Sequence, residues 1–267
     1  MTENLFLQDQ AVSFHRPYPA SLTALHEKQP EQGIFYRQDG TPFLKLWMKN
    51  ACDVKIVIGQ DTYILLEVER NLWEVKLPLE PGFYYAALYV DSVEIVSPYL
   101  PIGYGYSRPC NYLEIGPAME ACRLKDVLHG SIRHEYFYSE VTGQTESCLV
   151  YAPPGYDRDQ LRLPVLYLQH GFGENEGSWV WQGRIGWMMD NFLSEKKVTP
   201  MLIVMADGMM SEDGDPEKKI IPSLFTKFLT QDLMPYVEAH YRVLREKAAA
   251  GALFFFHRCT EGFSSFY

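Results

Sequence analysis

No stretch of the sequence approaches the ~20 consecutive apolar residues that a membrane-spanning helix needs. No C-x-x-C pair occurs among its five cysteines, Cys52, Cys110, Cys122, Cys148 and Cys259. A set that is odd in number and irregularly spaced gives neither a zinc site nor a disulfide framework. Free thiols in a reducing cytoplasm are the expectation. The opening Met1-Thr2-Glu3-Asn4-Leu5 has no basic and no apolar region, so no secretory signal is expected. Positive charge is scarce: 24 Lys and Arg stand against 34 Asp and Glu, a net charge of -10. That argues against a nucleic-acid partner, whose phosphates need a basic surface, and against an anionic membrane. No internal repeat, heptad or glycine period appears, which excludes collagen and coiled coil. What the 267 residues do hold is 47% hydrophobic and 14% aromatic composition. That is enough for a real core, and at about 150 residues per domain two domains are favoured.

The two halves differ in grammar. From Gly33 to about Gly116 short strands alternate with turns: Phe43–Met48, Val54–Ile58, Leu72–Leu77 and Phe83–Val90, with Asp39-Gly40 as a hairpin signal. Runs at this spacing predict an all-β sandwich. Pro98, Pro101, Pro109 and Pro117, with Gly103, Gly105 and Gly116, predict a surface linker over Ser97–Met119. The expected domains are therefore 1–119, with an N-terminal extension and this linker, and 120–267. The second half predicts one antiparallel pair, Tyr136–Glu140 with Cys148–Ala152, turning near Thr142-Gly143. The continuous apolar runs Val165–Leu168 and Met201–Met205 read as strands buried on both faces. Helical spacing covers Ile185–Lys196 and Leu224–His240, the latter with Pro235 marking a kink or a restart at Asp232. Strand, helix, strand, helix predicts a mainly parallel α/β sheet.

The chemistry sits where Leu166-Tyr167-Leu168 runs into Gln169-His170-Gly171-Phe172-Gly173-Glu174. Ligands of open α/β sheets bind beyond the carboxyl ends of the strands. Glycines there let backbone N–H groups approach a substrate, and such donors stabilise an oxyanion by about 3 kcal/mol each. A tight strand-to-loop turn is the plain alternative for the same two glycines.

With its flanks, this block resembles the esterase family of α/β-hydrolases that includes enterochelin, feruloyl and acetyl-xylan esterases. The likeness is carried by Tyr151-Ala152-Pro153-Pro154-Gly155-Tyr156, Leu163–Gly171, Glu174-Asn175-Glu176, Trp179, Gln182-Gly183, Met189-Asp190-Asn191, Ile203–Gly208 and Asp232–Glu238. Trp73, Pro81–Tyr85 and Val90-Asp91 are similar to the immunoglobulin-like (E-set) domain that often precedes it. The resemblance implies hydrolysis of a small-molecule or carbohydrate-linked ester without a cofactor or metal. It implies that Gly171, Phe172 and Gly173 form the oxyanion loop, with the Phe172 or Gly173 N–H as donor. It makes His170 a structural histidine of that loop, and Trp179, Gln182 and Asp207 residues near the pocket. A core tryptophan and a surface glutamine are the plain readings of Trp179 and Gln182.

The pattern then breaks. The family's serine belongs to G-x-S-x-G on a strained turn between strand and helix. Here the matching stretch is Gly251-Ala252-Leu253-Phe254-Phe255, with Leu253 at the serine's place and Phe255 at the second glycine's. The likeness stops abruptly at Gly251, as a frameshift would make it. The expectation is thus an incomplete α/β-hydrolase domain that keeps the oxyanion loop but lacks nucleophile, acid and base. The alternatives are a binding module for an ester or carbohydrate and a non-functional remnant. Gly262-Phe263-Ser264-Ser265-Phe266 lacks the second glycine, and Cys259 beside His257 lacks an orienting acid. His134-Glu135 has Tyr138 where H-e-x-x-H needs histidine. Ser211–Asp215 lacks the closing glutamate of a calcium loop. Trp73, Tyr84, Tyr85 and Tyr89 suit stacking on sugar rings, but core packing is the stronger reading.

Overall fold

A computed structural model of the chain describes residues 31–211, 220–244 and 250–253. Glu212–Asp215, Phe255, His257, Cys259 and Gly262–Phe266 lie outside the described residues. The chain divides into two units. Among the described residues one holds 31–103 and 109–120; the other holds 104–108, 121–211, 220–244 and 250–253.

The strands of the first part are β1 (Gly33–Tyr36), β2 (Pro42–Trp47), β3 (Val54–Ile58), β4 (Asp61–Ile64), β5 (Leu66–Glu69), β6 (Leu72–Lys76), β7 (Gly82–Val90), β8 (Val93–Ile95), β9 (Ile102–Gly105) and β10 (Arg108–Ile115). They form antiparallel sheets in the orders β1-β2-β6-β5 and β4-β3-β7-β10-β9, with β8 on β7. Alternation dictates the packing. Leu44 and Leu46 point inward from β2, and Val54 and Ile56 from β3, each fully buried. With Trp73, Leu88 and Leu113 they make one core fed by both sheets. The β1–β2 turn forms as Asp39-Gly40 predicts: Gly40 has φ +81°, and Asp39 Oδ1 accepts the Thr41 N–H at 2.9 Å.

Ser97–Met119, expected as a surface linker, instead contains β9 and β10. β10 pairs with β7 from Asn111↔Ala86 to Ile115↔Gly82, so Pro109 falls before that ladder and its missing N–H costs nothing there. The proline-rich approach is held by buried Asn111. Its Oδ1 accepts the Ser97 N–H at 2.8 Å, and its Nδ2 donates to the Ser97 and Pro101 carbonyls at 2.9 and 3.1 Å.

The second unit is built on β11 (Ser131–Ser139), β12 (Gln144–Ala152), β13 (Val165–Leu168), β14 (Leu202–Ala206) and β15 (Ala250–Leu253), in the order β11-β12-β14-β13-β15. The sheet is mixed, not mainly parallel. β12 runs antiparallel to both β11 and β14, while β13 is parallel to β14 and β15. The tight β11–β12 hairpin accounts for the first antiparallel pair, and the departure from the expectation is the second, β12 against β14. Both faces are covered. Val150, Val204 and Tyr167 pack with Phe228, Leu233 and Val237, while Tyr151, Ile203 and Leu168 pack with Ile185 and Met189.

The helices are α1 (Ser178–Trp181), α2 (Ile185–Ser194), α3 (Pro222–Phe228) and α4 (Met234–His240), with a π turn, Leu229–Leu233, joining the last two. That turn is the local form of the expected break. It places Pro235 in the first turn of α4, where no N–H is needed. Asp232, within it, accepts the Ser139 hydroxyl at 2.5 Å and the Val141 N–H at 3.0 Å, tying the turn to the β11–β12 hairpin. Among the described residues no helix is long and apolar enough to cross a membrane.

Candidate functional site

β13 lies between β14 and β15, and the chain passes from β13 to β14 on one side before returning to β15 on the other. Such a reversal of strand order opens a crevice beyond the carboxyl ends of the strands. The His170–Glu174 loop leaves β13 at that end. The register Leu168↔Leu253 puts the last residue of β15 beside the start of the loop.

The loop is tied at each residue but one. Gly171 donates its N–H to Glu174 Oε2 at 3.0 Å, and its carbonyl accepts the Glu174 N–H at 3.1 Å. Gly173 has φ +79°, and its N–H meets only the Met209 sulfur, a weak acceptor, at 3.5 Å. The Gly173 carbonyl accepts the Ser107 N–H at 2.7 Å. Among the described residues the Phe172 N–H has no hydrogen-bond partner, and the Phe172 side chain is 64% exposed. The loop therefore offers one vacant and one weakly used N–H on adjacent residues, the arrangement that receives a developing oxyanion.

His170 is buried with both ring nitrogens engaged. Nδ1 faces the Gly171 carbonyl at 2.8 Å, and since a carbonyl only accepts, Nδ1 carries the proton. Nε2 lies 3.0 Å from both the Gly208 N–H and Asp207 Oδ1. Asp207, half exposed at the end of β14, also accepts the Met209 N–H at 2.8 Å. The Gly208 N–H donated to His170 Nε2 pins the loops after β13 and β14 to each other. Trp179 is half-buried and donates its ring N–H to the Gln169 carbonyl at 3.1 Å. Gln182 is buried rather than on the surface: its amide exchanges two 2.9 Å hydrogen bonds with the Tyr104 backbone.

Residues 139–252 match the family model described as "Putative esterase". Residues 139–252 belong to this family. An endo-1,4-beta-xylanase/feruloyl esterase of Xylanibacter ruminicola is 34% identical over 213 residues, 74% of this chain and 29% of that protein. A CE1 ferulic acid esterase of Anaeromyces mucronatus, solved with ferulic acid, is 26% identical over 51% of this chain and 53% of its own, with a TM-score of 0.46. The chain thus spans about half or less of these two relatives. The enterobactin esterase of Shigella flexneri shares the fold over 84% of this chain and 67% of its own, with a TM-score of 0.61 at 11% identity.

Within the esterase segment, Leu253 ends β15, and the residues that follow it are outside the described set. Cys148 offers no substitute nucleophile. It is fully buried, and burial, then the Glu135 and Glu176 carboxylates, push its thiol up to about 12. Among the described residues no three His, Cys, Asp or Glu side chains are grouped to hold a metal ion. Trp73 is buried in the core. Tyr85 is edge-on to Phe83, and Tyr89 donates to Glu94 beneath Lys55, so these rings are engaged within the protein. Sequence reading named Glu174 only as part of the family likeness, with no role in the loop, and missed the Tyr104–Ser107 stretch. Glu174, three residues after Gly171, carried a readable turn signal, whereas the Ser107 and Tyr104 contacts are remote in sequence and carried none.

Proposed function

We propose that the chain belongs to the carboxylic-ester hydrolase lineage and receives the acyl group of a small-molecule or carbohydrate-linked ester at the Gly171–Gly173 loop. In this reading the antiparallel sheets are an immunoglobulin-like domain of the E-set kind, and the mixed sheet is the early part of an α/β-hydrolase core. Feruloyl, siderophore and acetyl esters are the substrate classes. The observation that carries the reading is the vacant Phe172 N–H at the carboxyl end of β13, beside the end of β15. The Phe172 and Gly173 N–H groups take the ester's carbonyl oxygen, while His170 holds the loop and neither it nor Asp207 moves a proton. A serine hydrolase of this fold attacks from the turn after such a strand. Leu253 at that place has no nucleophilic atom. The chain as written therefore binds an ester without forming an acyl-enzyme, because removing the nucleophile costs several orders of magnitude in rate.

Two measurements test this. Calorimetric titration with methyl ferulate, and with acetylated and catechol-type esters, is expected to give saturable binding for at least one; no binding to any removes the pocket. An activated aryl ester is expected to give no burst of product, and a serine-directed organophosphonate no labelling. A burst abolished by that reagent overturns the loss of turnover.

A further inference from the structure

We infer that the Tyr106-Ser107 turn is a substrate-positioning element of this site, with Tyr106 the wall against which an aromatic acyl group lies. This rests on the ester-binding reading above. Only these two residues join β9 to β10, and both have positive φ, 54° and 59°. Two-residue hairpin turns with positive φ at both positions favour Asn-Gly. A tyrosine there is an outlier that persists only where its surroundings hold it.

What holds it is the candidate site. Ser107 donates its N–H to the Gly173 carbonyl at 2.7 Å. Two residues earlier in the hairpin the buried Gln182 amide grips the Tyr104 backbone with two hydrogen bonds. Gly173 is needed for the approach: a Cβ added there would lie 3.3 Å from both the N and the Cα of Tyr106, besides the strain of its positive φ. The Ser107–Gly173 bond therefore joins two stretches that each present an exposed ring one residue away. Tyr106 is 47% exposed on one and Phe172 64% exposed on the other, next to the vacant N–H. The Arg108 guanidinium stands 6.0 Å from the centre of the Tyr106 ring. It adds positive charge suited to an electron-rich phenolic ring. A turn that only closed β9 onto β10 would gain stability from Asn-Gly. Tyr-Ser fastened to the oxyanion loop gives up that stability and keeps a ring at the ester.

The test uses the full chain and its variants Tyr106→Phe and Tyr106→Gly, titrated with methyl ferulate and with an alkyl butyrate of similar length, with melting measured in parallel. Tyr106→Phe is expected to bind methyl ferulate within about threefold of the parent. Tyr106→Gly is expected to bind it about tenfold more weakly, or roughly 1.4 kcal/mol, with the butyrate unaffected. Its melting temperature is expected to rise, because glycine accepts positive φ without strain. Weaker binding with lower melting makes Tyr106 a packing residue and overturns the inference. Parent-like ferulate binding by Tyr106→Gly overturns the inference alone. A parent chain that binds neither ester overturns this inference, and the proposed function falls with it only when the acetylated and catechol-type esters also fail to bind.

Discussion

Asp190, on α2, is a residue whose loss should cost the fold much of its stability. It is 3% exposed and accepts three hydrogen bonds: from the Tyr151 hydroxyl at 2.7 Å, the Gly130 N–H at 3.0 Å and His129 Nδ1 at 2.9 Å. Asp190→Ala leaves the Tyr151 hydroxyl, on a side chain only 1% exposed, and the Gly130 N–H without an acceptor. A hydrogen bond to a charged group contributes about 1.5–3 kcal/mol, and an orphaned buried donor costs about 1–3. His129 is substantially exposed, so its share is discounted for screening. The sum is about 3–4 kcal/mol, or roughly a 10 °C fall in melting temperature for a chain of this size. Asp190→Asn keeps one acceptor oxygen and should lose about half as much. A double-mutant cycle with Tyr151→Phe, read by urea unfolding, should return a coupling of about 2 kcal/mol. An Asp190→Ala protein melting within about 2 °C of the parent would refute this account. It would also mean that α2 is not anchored to the start of β11 as described.

Gly130→Ala and Gly143→Ala form a contrasting pair. An added Cβ at Gly130 lies 2.4 Å from the Ala152 carbonyl oxygen and 2.7 Å from the Tyr151 ring, so the β11–β12 pairing must shift, at about 3 kcal/mol. At Gly143 nothing lies within 4 Å and only the positive φ is strained, at about 1 kcal/mol; equal melting losses would contradict both figures. Stability should also fall in alkali. Burial raises Cys148 from 9.0 to about 12, and burial with the Glu135 hydrogen bond raises Tyr236 from 10.0 to about 12. The folded chain then keeps protons that the unfolded chain releases. The contribution is complete below pH 9 and is lost as pH rises toward about 12. Denaturant midpoints from pH 8 to 11 should show the decline, with Cys148→Ala removing the part that begins near pH 9; a flat profile would contradict it.

Much of the architecture was legible because it is local. Period-two alternation marked β2 and β3, unbroken apolar runs marked β13 and β14, and glycines after a buried strand marked the loop. The linker reading of Ser97–Met119 failed because its prolines fall outside the β7–β10 ladder, and because one side chain, Asn111, satisfies the backbone between them. Gln182 was read as pocket wall or surface because its partner, Tyr104, is 78 residues away. His170 and Asp207, 37 residues apart, were both noticed, but nothing local joins them. Contacts of that separation are fixed by strand order, which hydrophobic pattern does not report.

The order β11-β12-β14-β13-β15 also bears on how the molecule assembles. The β11–β12 hairpin pairs residues across a short turn, from Ser139↔Gln144 outward, and closes a small loop. The β13–β15 ladder joins residues about 85 positions apart, beginning at Val165↔Ala250. Chain entropy makes the second contact the costlier to bring together. The β13–β15 edge of the crevice is thus expected to be the last part of the sheet to close during folding. Substitutions in β15 should accelerate unfolding while leaving the refolding rate nearly unchanged.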